Sequence, residues 1–273
     1  MIHVKQIGEI HAFRMARTIR GRGLYYTAAY LVDGLLIDSG CAHTVDEFMG
    51  ALNGKHVRIV VNTHSHEDHI AGNAAIQAKY GAEVFADQSA IPFVADPRRR
   101  RLRPYQLVMW GYPAPSRAQP LGDCLEAEHH CFQVIPAPGH SPDHVCLYEQ
   151  EHGWLFTGDA YVGGQDKALR ADYDIWQIIS SLKRLLALRP RTLFAGSGTV
   201  RDDASQAIQE KIRYLEETGA RVLELRRKGL SYRRIRKALF GPEMPIAYYT
   251  LGHFSGRNLV RSYVEDRQGD TSG

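Results

Sequence analysis

The amino-acid sequence predicts an α/β layered domain, and two observations support this prediction. The run VRIVVNT (57–63) has the β-branched character of a buried strand, a helical pattern follows at 69–80, and AEVFA (82–86) is typical of another strand. Such alternation is typical of sheets covered by helices. The second observation is composition: of the 273 residues, 44% are hydrophobic and 23% are charged, which fits a globular protein with a well-filled core.

The elements before this unit are mostly strands. Short apolar or alternating runs, broken by Gly and Asp, predict strands at 2–7, 28–33 and 34–40. A helical pattern at 42–52 is expected to stop at Asn53. We expect the helix at 69–80 to end at Gly81, because glycine readily adopts the left-handed conformation that closes many helices.

The segment 97–122 differs in character from the rest of the chain. It begins with five arginines in PRRRRLRP (97–104) and continues with repeated prolines, so we expect little regular structure there. We interpret it as a surface loop or as a lid beside a binding site. The arginines form a solvated face or, alternatively, attract an anionic substrate.

Regular patterns return after this segment. Strands are predicted at 131–137, 144–150, 154–159 and 191–196. Helices are predicted at 174–189, 202–228, 231–240 and 255–266. We therefore divide the chain into a core at 1–200 and a C-terminal helical extension at 201–273, which we expect to pack on the same domain.

Charge, hydropathy and cysteine use argue against several classes of protein. The net charge of +4 is too small to indicate a nucleic-acid partner. No run approaches the length of a membrane span, and the first residues lack the apolar core of a signal peptide. The four cysteines form no CxxC pair, so we expect free thiols in a reducing cytoplasm. The expected partner is a small-molecule substrate, and the option of a homodimer stays open.

Four candidate metal ligands fall within six residues at the end of the strand at 57–63. They are His64, His66, Asp68 and His69. Imidazole and carboxylate groups suit zinc, iron or manganese. The alternative is that Asp68 caps the helix that follows and that each histidine is an ordinary buried polar residue. Because all four occur together as H-x-H-x-D-H, the pattern favours a metal site.

This HSHEDH stretch resembles the signature of the metallo-β-lactamase fold superfamily. Other matching pieces are LLIDSG (35–40), PAPGHSPDHVCLY with His140, and LFTGDA with Asp159, so that the resemblance extends over about residues 24–200. It implies a four-layer αββα sandwich with additional C-terminal helices and with metal ions at one edge of its sheets.

The resemblance also implies a set of metal ligands. A first ion would be held by His64, His66 and His140, and a second by Asp68 and His69, with Asp159 bridging the two. The implied cofactor is one or two divalent ions, with zinc as the first choice and iron or manganese as alternatives. Such ions acidify a bound water and stabilise an oxyanion, and Asp68 would orient the attacking hydroxide.

Three residues leave questions open. His144 either contacts the leaving group or supports the ligands, or it is an ordinary surface histidine. The family's last histidine ligand is replaced by Ser197 in LFAGSGTV. The second ion is then absent, is weakly held, or is held by His253 from the C-terminal extension. Alternatively, His253 packs against the last helix.

The sequence therefore predicts a metal-dependent hydrolase that attacks an ester, thioester or lactone carbonyl of a small substrate, with an anionic substrate as one option. Three alternatives stay open because a fold-level resemblance does not determine a substrate. They are a phosphodiesterase or nuclease, a mononuclear iron oxygenase acting on a thiol or persulfide, and a degenerate metal-binding regulatory protein.

Overall fold

The computed structural model describes residues 1–265, in which most strands belong to two large sheets. The first sheet has seven strands, and each strand pairs with the next one in the chain. These strands are β1 (Ile2–Ile7), β2 (Ile10–Met15), β3 (Thr27–Val32), β4 (Leu35–Ile37), β5 (Ile59–Val61), β6 (Glu83–Ala86) and β7 (Gln119–Pro120). Pairing is antiparallel from β1 to β4 and parallel from β4 to β7.

The second sheet has six strands in chain order. They are β8 (Cys124–Glu126), β9 (Cys131–Pro136), β10 (Val145–Glu149), β11 (Trp154–Gly158), β12 (Thr192–Ala195) and β13 (Val200–Arg201). All pairs are antiparallel except β11 and β12, which run parallel. Two short antiparallel pairs join Thr18–Ile19 to Arg22–Gly23 and Leu169–Arg170 to Phe254–Ser255.

Helices lie outside these sheets. The α-helices of the described chain are α1 (Val45–Ala51), α2 (Asn73–Tyr80), α3 (Ile91–Ala95), α4 (Pro104–Met109), α5 (Ile175–Ala187), α6 (Ala204–Arg227), α7 (Tyr232–Phe240), α8 (Pro245–Tyr249) and α9 (Gly256–Val264). Short 3-10 helices occupy Ala42–Thr44 and Pro97–Arg99. None of the helices within residues 1–265 combines the length and the apolar character needed to cross a membrane.

The packing of the apolar residues creates four layers. Between the sheets, Ile37 and Val61 of the first sheet lie in one buried cluster with Leu147 and Phe156 of the second. The opposite face of the first sheet buries α1 and α2 through a second cluster that includes Phe48. On the opposite face of the second sheet, a third cluster packs α5, α6 and α9. The predicted αββα sandwich with additional C-terminal helices is therefore confirmed.

Several predicted boundaries were wrong. The helix expected at 69–80 begins at Asn73, because the carbonyl of His69 accepts hydrogen bonds from Ser39 and Asn62 and residues 66–72 form turns instead. Gly81 closes this helix with a φ of 65°, as expected. Asp68 therefore does not cap a helix that starts at residue 69.

Several further elements, among them β2, α4 and α8, were absent from the prediction. Strand β2 was missed, since its alternation of apolar residues with His11 and Arg14 is weak. The segment 97–122 contains α4, whose Pro104 occupies the first turn, where the missing N–H of proline carries no penalty. The stretch before His253 contains helix α8, which the sequence analysis did not identify. Residues 266–273 of the predicted C-terminal extension lie outside the described residues.

Candidate metal centre

The predicted metal ligands lie in loops that follow strand ends along one edge of the sandwich. His64 and His66 follow β5, His140 follows β9, and Asp159 follows β11 directly. A backbone hydrogen bond from Val145 to the carbonyl of Thr63, 2.8 Å long, joins the two sheets at this edge. Residues from distant parts of the sequence are brought together because the strands of both sheets end on the same side of the molecule.

Three imidazoles converge on one point. The Nδ1 atom of His66 lies 2.9 Å from Nε2 of His64 and 2.9 Å from Nε2 of His140. All three side chains are buried. Burial holds the pKa values of His64 and His66 well below the usual range and lowers the pKa of His140 to about 3. The rings are therefore neutral at physiological pH, which is the form that binds a metal ion.

A second group lies beside the first. The carboxylate of Asp159 has Oδ2 at 3.5 Å from Nε2 of His140 and Oδ1 at 3.6 Å from Nε2 of His69. Asp68 approaches the same His69 nitrogen, with its Oδ2 at 3.8 Å. Asp159 thus has one oxygen toward each group of histidines, which is the placement expected of a bridging carboxylate.

The charges in this second group reinforce each other. Burial alone would lower the pKa of His69, but the carboxylates of Asp38, Asp68 and Asp159 outweigh it and raise the pKa. Burial alone would raise the pKa of Asp159, but His69 and His140 outweigh it and lower the pKa. The same carboxylates would favour a divalent cation in place of the proton on His69, since neutral imidazoles and ionised carboxylates are the usual ligands of such an ion.

Asp38 positions His69 and was missed by the sequence analysis. Its Oδ2 lies 2.7 Å from Nδ1 of His69, and its two oxygens also accept hydrogen bonds from the backbone and hydroxyl of Thr63, each 2.8 Å long. A carboxylate that is hydrogen-bonded to the outer nitrogen of a ligand histidine fixes the orientation of the ring and its tautomer. The available signal was a polar residue directly after the buried strand β4.

The loop that carries His64 and His66 is held by further polar contacts. Oγ1 of Thr63 lies 3.0 Å from Nδ1 of His64. The backbone N–H of Ser65 donates to Asp143 at 2.9 Å, and the guanidinium of Arg100 donates to the carbonyl and hydroxyl of the same serine. These bonds restrict the loop so that both histidine rings keep their orientation.

His144 lies behind Asp159. It is 1% exposed, so the interpretation as a surface histidine is wrong. Its Nε2 accepts a hydrogen bond from the backbone N–H of Asp159 at 3.1 Å, and its ring stacks on His64 with centroids 4.8 Å apart. These contacts favour the interpretation that His144 supports the ligands.

The two candidates for the missing ligand have other partners. The hydroxyl of Ser197 donates to Thr199 at 3.2 Å. His253 has Nδ1 at 2.9 Å from the hydroxyl of Tyr105 and Nε2 at 3.7 Å from Asp172. Within residues 1–265, His253 belongs to none of the groups of His, Cys, Asp and Glu whose donor atoms lie close enough to share a metal ion.

Replacing Ser197 with His tests whether the second ion lacks a ligand. The neighbouring Gly196 packs so closely on Asp159 that an added Cβ would collide with its carboxylate, which places this turn beside the second group. We expect Ser197→His to raise both the occupancy of the second ion and the turnover rate, measured by metal analysis and kinetics. Thr199→His, an exposed position in the same turn, is the control. Unchanged occupancy in Ser197→His would contradict the expectation.

A small cavity of about 60 Å³ opens onto the metal ligands. His66, Asp68 and Asp159 line it, together with residues that the sequence analysis did not identify. These include Tyr105, Met109 and Trp110 from the segment predicted as a lid, Arg170 and Tyr173 from the segment before α5, and Ile246 and Thr250 from the region of α8.

A four-layer αββα sandwich with a buried His and Asp cluster at one sheet edge defines a class of proteins with metal centres. The family model of the metallo-beta-lactamase superfamily matches residues 22–197, and the chain belongs to this superfamily.

The chain is similar in sequence to known relatives over part of their length. The chain is 30% identical over 161 residues to a hydroxyacylglutathione hydrolase of Bdellovibrio bacteriovorus, covering 58% of the chain and 55% of the relative. It is 27% identical over 183 residues to an atrochrysone carboxyl ACP thioesterase of Aspergillus fumigatus, covering 65% and 51%. The matches thus span little more than half the length of these relatives.

Solved structures agree with the fold. A metallo-beta-lactamase family protein from Thermus thermophilus superposes with a TM-score of 0.65 at 20% identity, covering 93% of this chain and 90% of that one. A metallo-beta-lactamase from Pontibacter korlensis gives a TM-score of 0.63 at 19% identity, covering 79% and 99%. At this identity the likeness concerns the fold alone.

Proposed function

We propose that the protein is a metal-dependent hydrolase of a small, anionic thioester. The observation that carries this proposal is the pair of adjoining ligand groups, with Asp159 placed between His69 and His140. The named activities of the two relatives, a hydroxyacylglutathione hydrolase and an ACP thioesterase, support a thioester rather than an ester or lactone.

The proposed ligands follow the two groups. His64, His66 and His140 would hold one divalent ion, and Asp68 and His69 a second, with Asp159 shared by both. Zinc is the first choice for this donor set, with iron or manganese as alternatives. Bound ions would acidify a water molecule and stabilise negative charge on the substrate oxygen.

Asp68 and Tyr173 supply the other chemical groups. Burial raises the pKa of Asp68, so its carboxylate accepts a proton more readily than an exposed one and can orient the attacking water. Burial also raises the pKa of Tyr173, so its hydroxyl stays protonated and can donate to the carbonyl oxygen. This hydroxyl lies 3.2 Å from Nε2 of His140, close to the proposed reaction point. Attack of the water oxygen on the carbonyl carbon forms the new C–O bond, and Asp68 accepts the proton of the water. The C–S bond then breaks, and the sulfur leaves as a thiol with that proton.

A basic groove supports an anionic substrate. It has a volume of about 620 Å³ and is lined by Arg233, Arg236 and Lys237 of α7 and by Arg257 of α9, with Glu243 as an acidic residue among them. Helix α8 lies between the groove and the metal cavity, since Tyr248 lines the groove and Ile246 and Thr250 line the cavity. The cavity holds a volume of only about two water molecules, so the bulk of a substrate would extend outside it.

The proposal is tested by thiol release from a pair of acyl thioesters, one with a carboxylated thiol and one with the matching neutral thiol. The zinc-loaded protein is expected to cleave both, with a lower KM for the carboxylated one, and chelation is expected to abolish both reactions. Thiol release that persists after complete metal removal would contradict the proposal. So would oxygen uptake or phosphodiester cleavage without thiol release, each of which supports one of the alternatives.

A matched pair of variants tests the groove. Arg233 lines it, whereas the adjacent Arg234 does not appear among the groove residues. We expect Arg233→Gln to raise KM for the carboxylated thioester by about two- to fivefold with kcat unchanged, the size of one exposed charge pair. Arg234→Gln should leave both constants unchanged, and equal effects of the two variants would argue against the groove.

A further inference from the structure

A separate group of metal-type ligands, away from the metal centre, lies at the opposite edge of the second sheet. His130 precedes β9, Glu149 ends β10, and His152 lies in the turn before β11. One donor atom from each lies within 4.8 Å of the others. Because β9 to β11 are five or six residues long, this group is roughly 15–20 Å from the metal centre described above.

The carboxylate of Glu149 spans the two rings. Its Oε1 lies 3.7 Å from Nδ1 of His130, and its Oε2 lies 3.1 Å from Nδ1 of His152. The same carboxylate accepts hydrogen bonds from the backbone N–H groups of Glu151 and His152, which hold the turn in place. The three donors are therefore brought to one point by a rigid piece of backbone.

The environment of His130 favours a cation beside its ring. Its Nε2 lies 3.2 Å from a carboxylate oxygen of Glu9, so this nitrogen carries the proton and donates it. The side chain is only 7% exposed, and its Nδ1 is buried without a hydrogen-bond partner. An unprotonated Nδ1 has its lone pair toward the Glu149 carboxylate, which is unfavourable unless a cation lies between them.

This arrangement matches the pattern of histidine ligands in metal sites. A ligand histidine commonly donates its outer N–H to a carboxylate, which is the relation of His130 to Glu9. Two imidazoles and one carboxylate suit zinc, and a water can complete a tetrahedral shell. The side chain of His152 is 40% exposed and stacks on Trp154, so the group is reachable from solvent on one side.

We propose that His130, Glu149 and His152 bind a divalent transition-metal ion of the zinc type. Glu9 lies in the turn between β1 and β2 of the first sheet, so the ion would tie the second sheet to the first through His130. Its role is structural, because it stabilises the edge of the sandwich opposite the metal centre. The proposal does not depend on the hydrolase activity.

The test is a zinc count on the full chain after equilibration with zinc and gel filtration. The unmodified protein is expected to hold one equivalent more than His152→Gln, and to show a zinc-dependent rise in Tm that this variant lacks. His152 is half exposed in a turn, so the substitution is tolerable for folding. Glu149→Gln, which keeps one acceptor for the turn, is the second variant and should lose the same equivalent.

His3→Gln serves as the control because His3 is exposed and lies outside every candidate ligand group within residues 1–265. It should retain the full zinc count. Equal zinc content in the unmodified protein and in folded His152→Gln and Glu149→Gln would overturn the proposal, and would mean that a proton on His130 is the cation that faces Glu149. Loss of zinc in His3→Gln would equally overturn it, since the extra ion would then be surface-bound.

Discussion

Replacing His66 with Ala is expected to remove the metal-dependent activity and one of the bound ions. The Nδ1 atom of His66 lies at the centre of the first group, 2.9 Å from Nε2 of His64 and 2.9 Å from Nε2 of His140. Without it, His64, His140 and the shared Asp159 would be the protein ligands left for the first ion. Metal ions supply several kcal/mol of transition-state stabilisation, so we expect kcat/KM to fall by roughly 10³-fold.

The measurement combines metal analysis with thioester kinetics on the purified variant. His3→Ala is the matched control, because the side chain of His3 is exposed and lies outside every candidate ligand group within residues 1–265. Circular dichroism establishes that both variants are folded. If His66→Ala retained its full metal content, the ligand assignment at this edge would be wrong.

Replacing Asp38 with Asn is expected to lower the affinity for the second ion by about 10- to 100-fold. This is the usual effect of removing a carboxylate that is hydrogen-bonded to a ligand histidine. Three donors face the Asp38 carboxylate: the backbone and hydroxyl of Thr63, and Nδ1 of His69. An amide offers one oxygen and turns an NH₂ group toward a donor, so His69 loses its orientation. The backbone is retained, since the φ of 61° at Asp38 suits Asn as well as Asp.

Asp96→Asn is the control for this substitution. Asp96 is exposed, also accepts a backbone hydrogen bond through its carboxylate, from Arg98, and lies outside every candidate ligand group within residues 1–265. The readouts are a titration of metal content and kcat/KM at a fixed zinc concentration. We expect excess zinc to restore part of the activity of Asp38→Asn. An unchanged zinc dependence would show that Asp38 has no influence on the second ion.

Much of the candidate site could be predicted because its ligands are local in sequence. His64, His66, Asp68 and His69 share one turn after a buried strand, so their spacing alone indicates a metal site. His140 and Asp159 required the resemblance to a family, because nothing in their own neighbourhoods specifies a ligand. The domain division, the identity of the metal and the ligand assignment stay predictions.

The supporting residues could not be predicted, since their contacts join distant segments. Asp38 contacts His69, which is 31 residues away in the sequence, and Tyr173 contacts His140, which is 33 residues away. Tyr105 and His253 are 148 residues apart in the sequence and 2.9 Å apart in space. No periodicity or composition records such pairs, because they arise when two sheets and the added helices close on each other.

The sequence by itself determined the layered α/β class and the strand after which the metal motif lies, and it predicted the motif's candidate ligands. These features depend on side-chain period and on short spacings, which the chain carries locally. Only the tertiary structure decided that Asp38 supports His69, that His144 lies behind Asp159, and that His253 pairs with Tyr105 instead of the second ligand group. The physical reason is that burial and charge pairing at one sheet edge are properties of the assembled layers, whose members come from both halves of the chain.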